Sequence, residues 1–99
     1  MEITGRLIQV LPIQTGEGKN GSVWKKQDII LEIVGTDATV SRKLCIVLWN
    51  DRIISDLVEG STLKVYFEIE SREYNDRWYT NLWANKVEEV SEMELYDAA

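Results

Sequence analysis

Histidine is absent from this 99-residue chain, and cysteine and proline occur once each. Without histidine, with a single thiol, and without a Gly-rich turn leading into a long helix, the chain lacks the parts of the common zinc sites, nucleophilic triads and phosphate loops. Cys45 can form no internal disulfide and, inside the apolar run LCIVLW, reads as a small buried apolar side chain. No apolar run approaches the roughly 18 residues of a membrane span, and Met1 is not followed by a basic, apolar, small-residue leader. These absences lead to the expectation of a soluble cytoplasmic domain that is not an enzyme, has no metal or cofactor, and has no membrane partner. Glu68 and Glu70 share a strand face and could suggest a carboxylate pair, but on an outward face they read as solvated surface.

What remains is rich in aromatics and strand formers. The length and the 44% apolar composition suit one domain with a single core and little stability to spare. Net charge is −6, but five of the 17 acidic residues follow Val87, leaving twelve acidic against eleven basic residues in positions 1–87. The organisation expected is a nearly neutral folded domain, 1–87, followed by an acidic C-terminal tail, 88–99. Such a tail is either a frayed, solubilising terminus or a segment that recruits other proteins.

Strand signals dominate. EITGRLIQVLP (Glu2 to Pro12) is rich in branched apolar residues, with Gly5 placed to let a long strand bend or bulge. QTGEGKNGS (Gln14 to Ser22), with three glycines, reads as a loop. In WKKQDIILEIV, Ile29, Leu31 and Ile33 share one face, and Trp24, Lys26, Asp28 and Ile30 share the other. A polar connection, GTDATVS, leads to RKLCIVLW, with Leu44, Ile46 and Leu48 toward the core and Lys43, Cys45, Val47 and Trp49 opposite. NDRIISDLVEG offers Asn50 or Asp51 as an N-cap, an apolar face of Ile53, Ile54, Leu57 and Val58, and Gly60 as a stop, predicting about two turns of helix. STLKVYFEIESRE then resumes strict alternation, with Leu63, Val65, Phe67 and Ile69 inward. A tight polar turn at Asn75-Asp76 joins it to RWYTNLWANKV. There Trp78, Thr80, Leu82 and Ala84 share one face and Tyr79, Asn81, Trp83 and Asn85 the other, so aromatics lie on both.

Three strands, one short helix and two strands is the order of the OB-fold. The predicted fold is all-β: a five-stranded OB-fold Greek-key barrel with one short helix between strands 3 and 4. An SH3-like barrel is the structural runner-up, but it does not ordinarily place an amphipathic helix at Asn50 to Val58.

The segment CIVLWNDRI resembles the third strand and helix start of bacterial single-stranded DNA-binding proteins, and YNDRWYTNLWA is similar to their last hairpin. Most of residues 1–87 looks closer still to a family of short bacterial OB-like proteins with the pattern ITG...LP...NG..WKKQ...LE...LWND...IESRE.N.RWYT. The first resemblance implies a base-stacking role for Trp49 at the end of the third strand, places Trp24 and Lys26 at the mouth of a groove, and puts Arg77 just after the last turn. Two departures stand out. The third strand has no second aromatic before its apolar run, and the ending ELYDAA is not the acidic-Pro-Phe type of peptide that docks partner enzymes.

Exposed aromatics on a sheet stack on bases with little sequence preference. The expected partner is single-stranded DNA or RNA, held by Trp24, Trp49, Tyr79 and Trp83 with Lys26, Lys43 and Arg77 as cations. Each residue also has a structural reading. Trp49 could cap the barrel, Trp24 could serve as a lid, and the Lys25-Lys26 and Arg42-Lys43 pairs could be solvated strand ends. Trp78, on the Leu82 face, reads as core. The alternative function is a protein-interaction or homo-oligomerisation module built on the same aromatics; replication or repair proteins would be further partners.

Overall fold

Branched and aromatic residues at alternating positions put most of the chain into strands. The computed structural model describes residues 1–34 and 41–90; the connection read at 35–40 and the tail beyond 90 lie outside the described residues. The strands are β1 (Glu2–Val10), β2 (Gln14–Glu17), β3 (Val23–Val34), β4 (Ser41–Trp49), β5 (Thr62–Tyr74) and β6 (Arg77–Glu89).

Five of them close a ring. β1 pairs antiparallel with β5 from Glu2 to Arg6 and with β3 from Arg6 to Val10, so this one strand serves two neighbours and joins the two halves of the sheet. The change of partner needs close approach. A side chain at Gly5 would press on the Glu32 carbonyl and on Ile33, while the bulge itself falls between Leu7 and Gln9. β3 continues to β4, β5 to β6, and a single parallel pair, Val47 opposite Trp83, joins β4 to β6. This is the ring order of the OB-fold, with β2 added as a short outer strand on β3.

Alternation fills the interior as expected from the sequence. Leu7, Ile29, Leu31, Ile46, Leu48, Leu63 and Val65 are fully buried, and Phe67 and Ala84 complete the core. Burying aliphatic side chains stabilises such a barrel by roughly 1.5–3 kcal/mol each before chain entropy is counted. On β6 the pattern shifts at Asn85, the extra residue between the pairs Phe67–Ala84 and Tyr66–Lys86. The shift turns Lys86 outward and Val87 against the core.

Four expectations are corrected. The helix over Asn50 to Val58 is only a 3-10 turn, Asn50–Arg52. Asn50 has φ 49°, outside the helical region, and its Oδ1 accepts the Lys25 backbone N–H at 2.9 Å instead of capping a helix. Ile53 and Leu57 still pack against the core, so the apolar pattern reports closure of the barrel end without helix. Second, Gln14–Glu17 is a strand, where a loop was read across the glycines. Third, Cys45 is exposed, because the Lys43, Cys45, Val47 and Trp49 face of β4 points outward.

The fourth correction concerns Trp78, read as core, and Ile69, read as inward; they are 68% and 50% exposed. β5 and β6 are 13 residues each and outrun the barrel, so that residues 68–80 are all exposed and the hairpin stands out as an arm. The long axis of the molecule, 48 Å against 33 and 21 Å, reflects it.

Candidate functional site

The outer face of β3, β4 and β6 gathers three of the four tryptophans. Trp24, Lys26 and Asp28 alternate outward on β3, and Lys26 sits opposite Trp49 in register. The β4–β6 pair brings Trp83 beside Val47. As a result the Trp24 and Trp49 rings stack, with centroids 5.4 Å apart and planes 14° apart, and Trp49 meets Trp83 edge to face at 5.8 Å and 87°. Aromatic pairs in these geometries contribute about 0.5–1.5 kcal/mol each beyond burial. Val47 lies on this face yet is only 6% exposed.

Gly16 is the floor of the cluster. It is paired with Trp24 across β2 and β3, and a methyl group there would overlap the indole ring. Trp24 therefore lies between Gly16 and Trp49; all three rings keep part of their surface accessible, and the two that face the groove are Trp49 and Trp83. Those two line a groove of about 530 Å³ between the 3-10 turn and the base of the arm, together with Asp51, Arg52, Glu70 and Arg72. Arg52 donates from Nη1 to the carbonyl of the bulge residue Asn85 at 2.8 Å, tying the turn to β6. Arg72 pairs with Glu70. The Trp83 Nε1 is buried without a hydrogen-bond partner among the described residues.

Of the residues expected at the site, the structure brings together Trp24, Lys26, Trp49 and Trp83. Lys43, Tyr79 and Arg77 lie farther off. Lys43 is four residues before Val47 on β4 and Tyr79 four before Trp83 on β6, and since the two strands run parallel, both lie on the same side of the cluster. Tyr79 is half exposed on the arm, opposite Arg72, and Arg77 is at the arm's tip, opposite Tyr74. The sequence reading missed Gly16, Asp51, Arg52 and Arg72. Arg72 was within reach, because it continues the outward alternation of Tyr66, Glu68 and Glu70. The other three depend on a strand and a turn in place of a loop and a helix.

Cys45 borders the face. Burial pushes its thiol pKa up, the Asp28 carboxylate adds to the effect, and Lys26 opposes it. Elsewhere on the outer sheet, Lys64 and Lys86 approach the Tyr66 ring at 5.4 and 5.7 Å and pair with Glu2 and Glu88.

Comparison with known proteins follows the fold. The chain belongs to the family described as "Domain of unknown function (DUF3127)", which matches residues 2–88. No curated protein matches the chain. Among solved structures, it is similar to the N-terminal domain of the PriB protein from Thermoanaerobacter tencongensis, solved as a dimer. The TM-score is 0.66 at 20% identity, covering 93% of this chain and 96% of that one. At that identity the likeness is one of fold, and it agrees with the closed five-stranded ring.

Proposed function

We propose that this member of the family binds single-stranded nucleic acid, with DNA as the first candidate and RNA as the second, and that it acts by binding and not by catalysis. The observation that carries the proposal is the Trp24–Trp49–Trp83 cluster on the outer face of the barrel, opening onto a groove that holds two arginines. Flat rings accessible to unpaired bases supply affinity with little sequence preference, roughly 1–3 kcal/mol per stacked base. Lys26 and Lys43, on the outer face of β3 and β4, add contacts to phosphate. The bound strand would run from the cluster toward the side on which Lys43, Tyr79 and Arg77 all lie. Tryptophan fluorescence titrated with mixed-sequence single-stranded DNA, single-stranded RNA and a duplex tests this. Quenching by the single strands and weaker quenching by the duplex are expected, and no quenching at low salt rejects the reading.

A second reading is supported by the arm. Trp78, 68% exposed, and Ile69, 50% exposed, share one face of the arm that the barrel does not cover, and the PriB domain of similar fold was solved as a dimer. In this reading the chain is a homo-oligomer or an interaction module, with replication or repair proteins as further partners. Sedimentation across a range of concentrations, with and without oligonucleotide, separates the two. An oligomer that ignores oligonucleotides decides for the interface, whereas an oligomer that binds them shows that both hold. Cytoplasmic residence belongs to the same proposal and is checked by cell fractionation.

A further inference from the structure

We propose that the groove beside Trp49 and Trp83 seats one unpaired base and selects bases that carry an exocyclic amino group. The inference rests on the single-strand reading above and concerns what the strand's bases meet when they reach the cluster. Two acids, Asp51 and Glu70, and two arginines, Arg52 and Arg72, line the groove, so its charges cancel. A site of that balance suits a neutral planar group better than a phosphate, and about 530 Å³ is within the usual range for small-molecule sites.

The hydrogen-bonding pattern is specific. Arg52 spends one N–H on the Asn85 carbonyl and Arg72 holds Glu70 through Nε, which leaves both guanidinium groups with free donors. Asp51 is in no ion pair among the described residues, and Glu70 keeps its second oxygen. An acid and an arginine side by side therefore present acceptors next to donors. Cytosine offers the complement, an amino donor beside the N3 and O2 acceptors, and carboxylates accept from that amino group in known base readout. Adenine and guanine also place an amino donor next to an acceptor. Uracil and thymine place carbonyls on both sides of a single N–H, so a carboxylate directed at that edge faces at least one oxygen.

Oligo(dC) and oligo(dU) of equal length isolate this edge, because the two bases differ at positions 3 and 4 only. Titrated by tryptophan fluorescence at pH 8, where cytosine is neutral, oligo(dC) is expected to bind roughly tenfold more tightly, the order of ratio that one well-formed base contact supplies. In the double variant Asp51→Asn, Glu70→Gln, whose amides can both donate and accept, the ratio should fall below about twofold. Equal affinities in the unmodified protein, tighter binding of oligo(dU), or a ratio that the double variant leaves in place would each overturn the selectivity while the single-strand reading stands. If neither oligomer binds but the protein is folded by near-UV circular dichroism, both readings fall together.

Discussion

Gly16 shows how one residue on an added strand governs the whole aromatic cluster. Because Trp24 lies directly over it, Gly16→Ala forces the indole away and breaks the Trp24–Trp49 stack. The expected cost is about 1–3 kcal/mol, the range for overpacking. It should be read in urea unfolding together with loss of near-UV circular dichroism from the stacked rings. Cys45 gives a pH-dependent counterpart. Its thiol pKa is raised, first by burial and then by Asp28, so alkylation by iodoacetamide should accelerate at a higher pH than for an ordinary cysteine despite the residue's exposure. Asp28→Asn should move that profile to lower pH and Lys26→Ala to higher pH. The linked effect on stability has the same origin. As pH rises through the ordinary cysteine range, the unfolded chain releases its proton before the folded one, so the unfolded state binds fewer protons and stability falls there, with no contribution at neutral pH.

At the scale of elements, the arm depends on its two-residue turn. Asn75 and Asp76 have φ of 51° and 64°, the paired left-handed conformations of a type I′ hairpin, for which Asn-Gly is the preferred sequence. Asp76→Gly should stabilise the arm by roughly 0.5–1 kcal/mol by removing a Cβ from the left-handed region. Slower amide exchange in residues 68–80, with the barrel amides unchanged, is the measurement. The arm also marks the limit of what alternation can reveal. Leu63, Val65 and Phe67 were legible as core because the barrel covers them, and Ile69 continues the same period just past the place where that cover ends. A strand's sequence gives the face each side chain takes, but not where the opposing layer stops, which is why Trp78 was misread. The 50–58 segment failed differently. Its apolar spacing fits a helix, but the left-handed Asn50 and its bond to Lys25 redirect the chain after a single 3-10 turn. The tryptophans themselves were visible as site candidates. Their assembly was not, since Trp49 and Trp83 meet through one parallel pair between segments far apart in sequence.

For the whole molecule, the distribution of charge decides how binding should respond to salt. The net charge of −6 opposes a polyanion, and the arm adds to the opposition, with Glu68, Glu70, Glu73 and Asp76 against Arg72 and Arg77. On the outer face of β3 and β4 the cations favourable to phosphate are Lys26 and Lys43, and of these Lys26 is next to the tryptophans. If about two or three phosphates are neutralised, log affinity should fall with log salt at a slope near −2, since each contact on a single strand contributes about −0.7. Stacking and charge then separate in a pair of variants. Lys26→Ala should flatten the slope by about 0.7, with its largest loss of affinity at low salt. Trp49→Ala should leave the slope unchanged and lower affinity by roughly 1–3 kcal/mol at every salt concentration, because a base stacked on an indole displaces no counterions. Fluorescence or anisotropy titrations between 50 and 300 mM salt distinguish the two. A Trp49→Ala variant that binds as tightly as the unmodified protein would mean that the cluster serves the barrel and not a ligand.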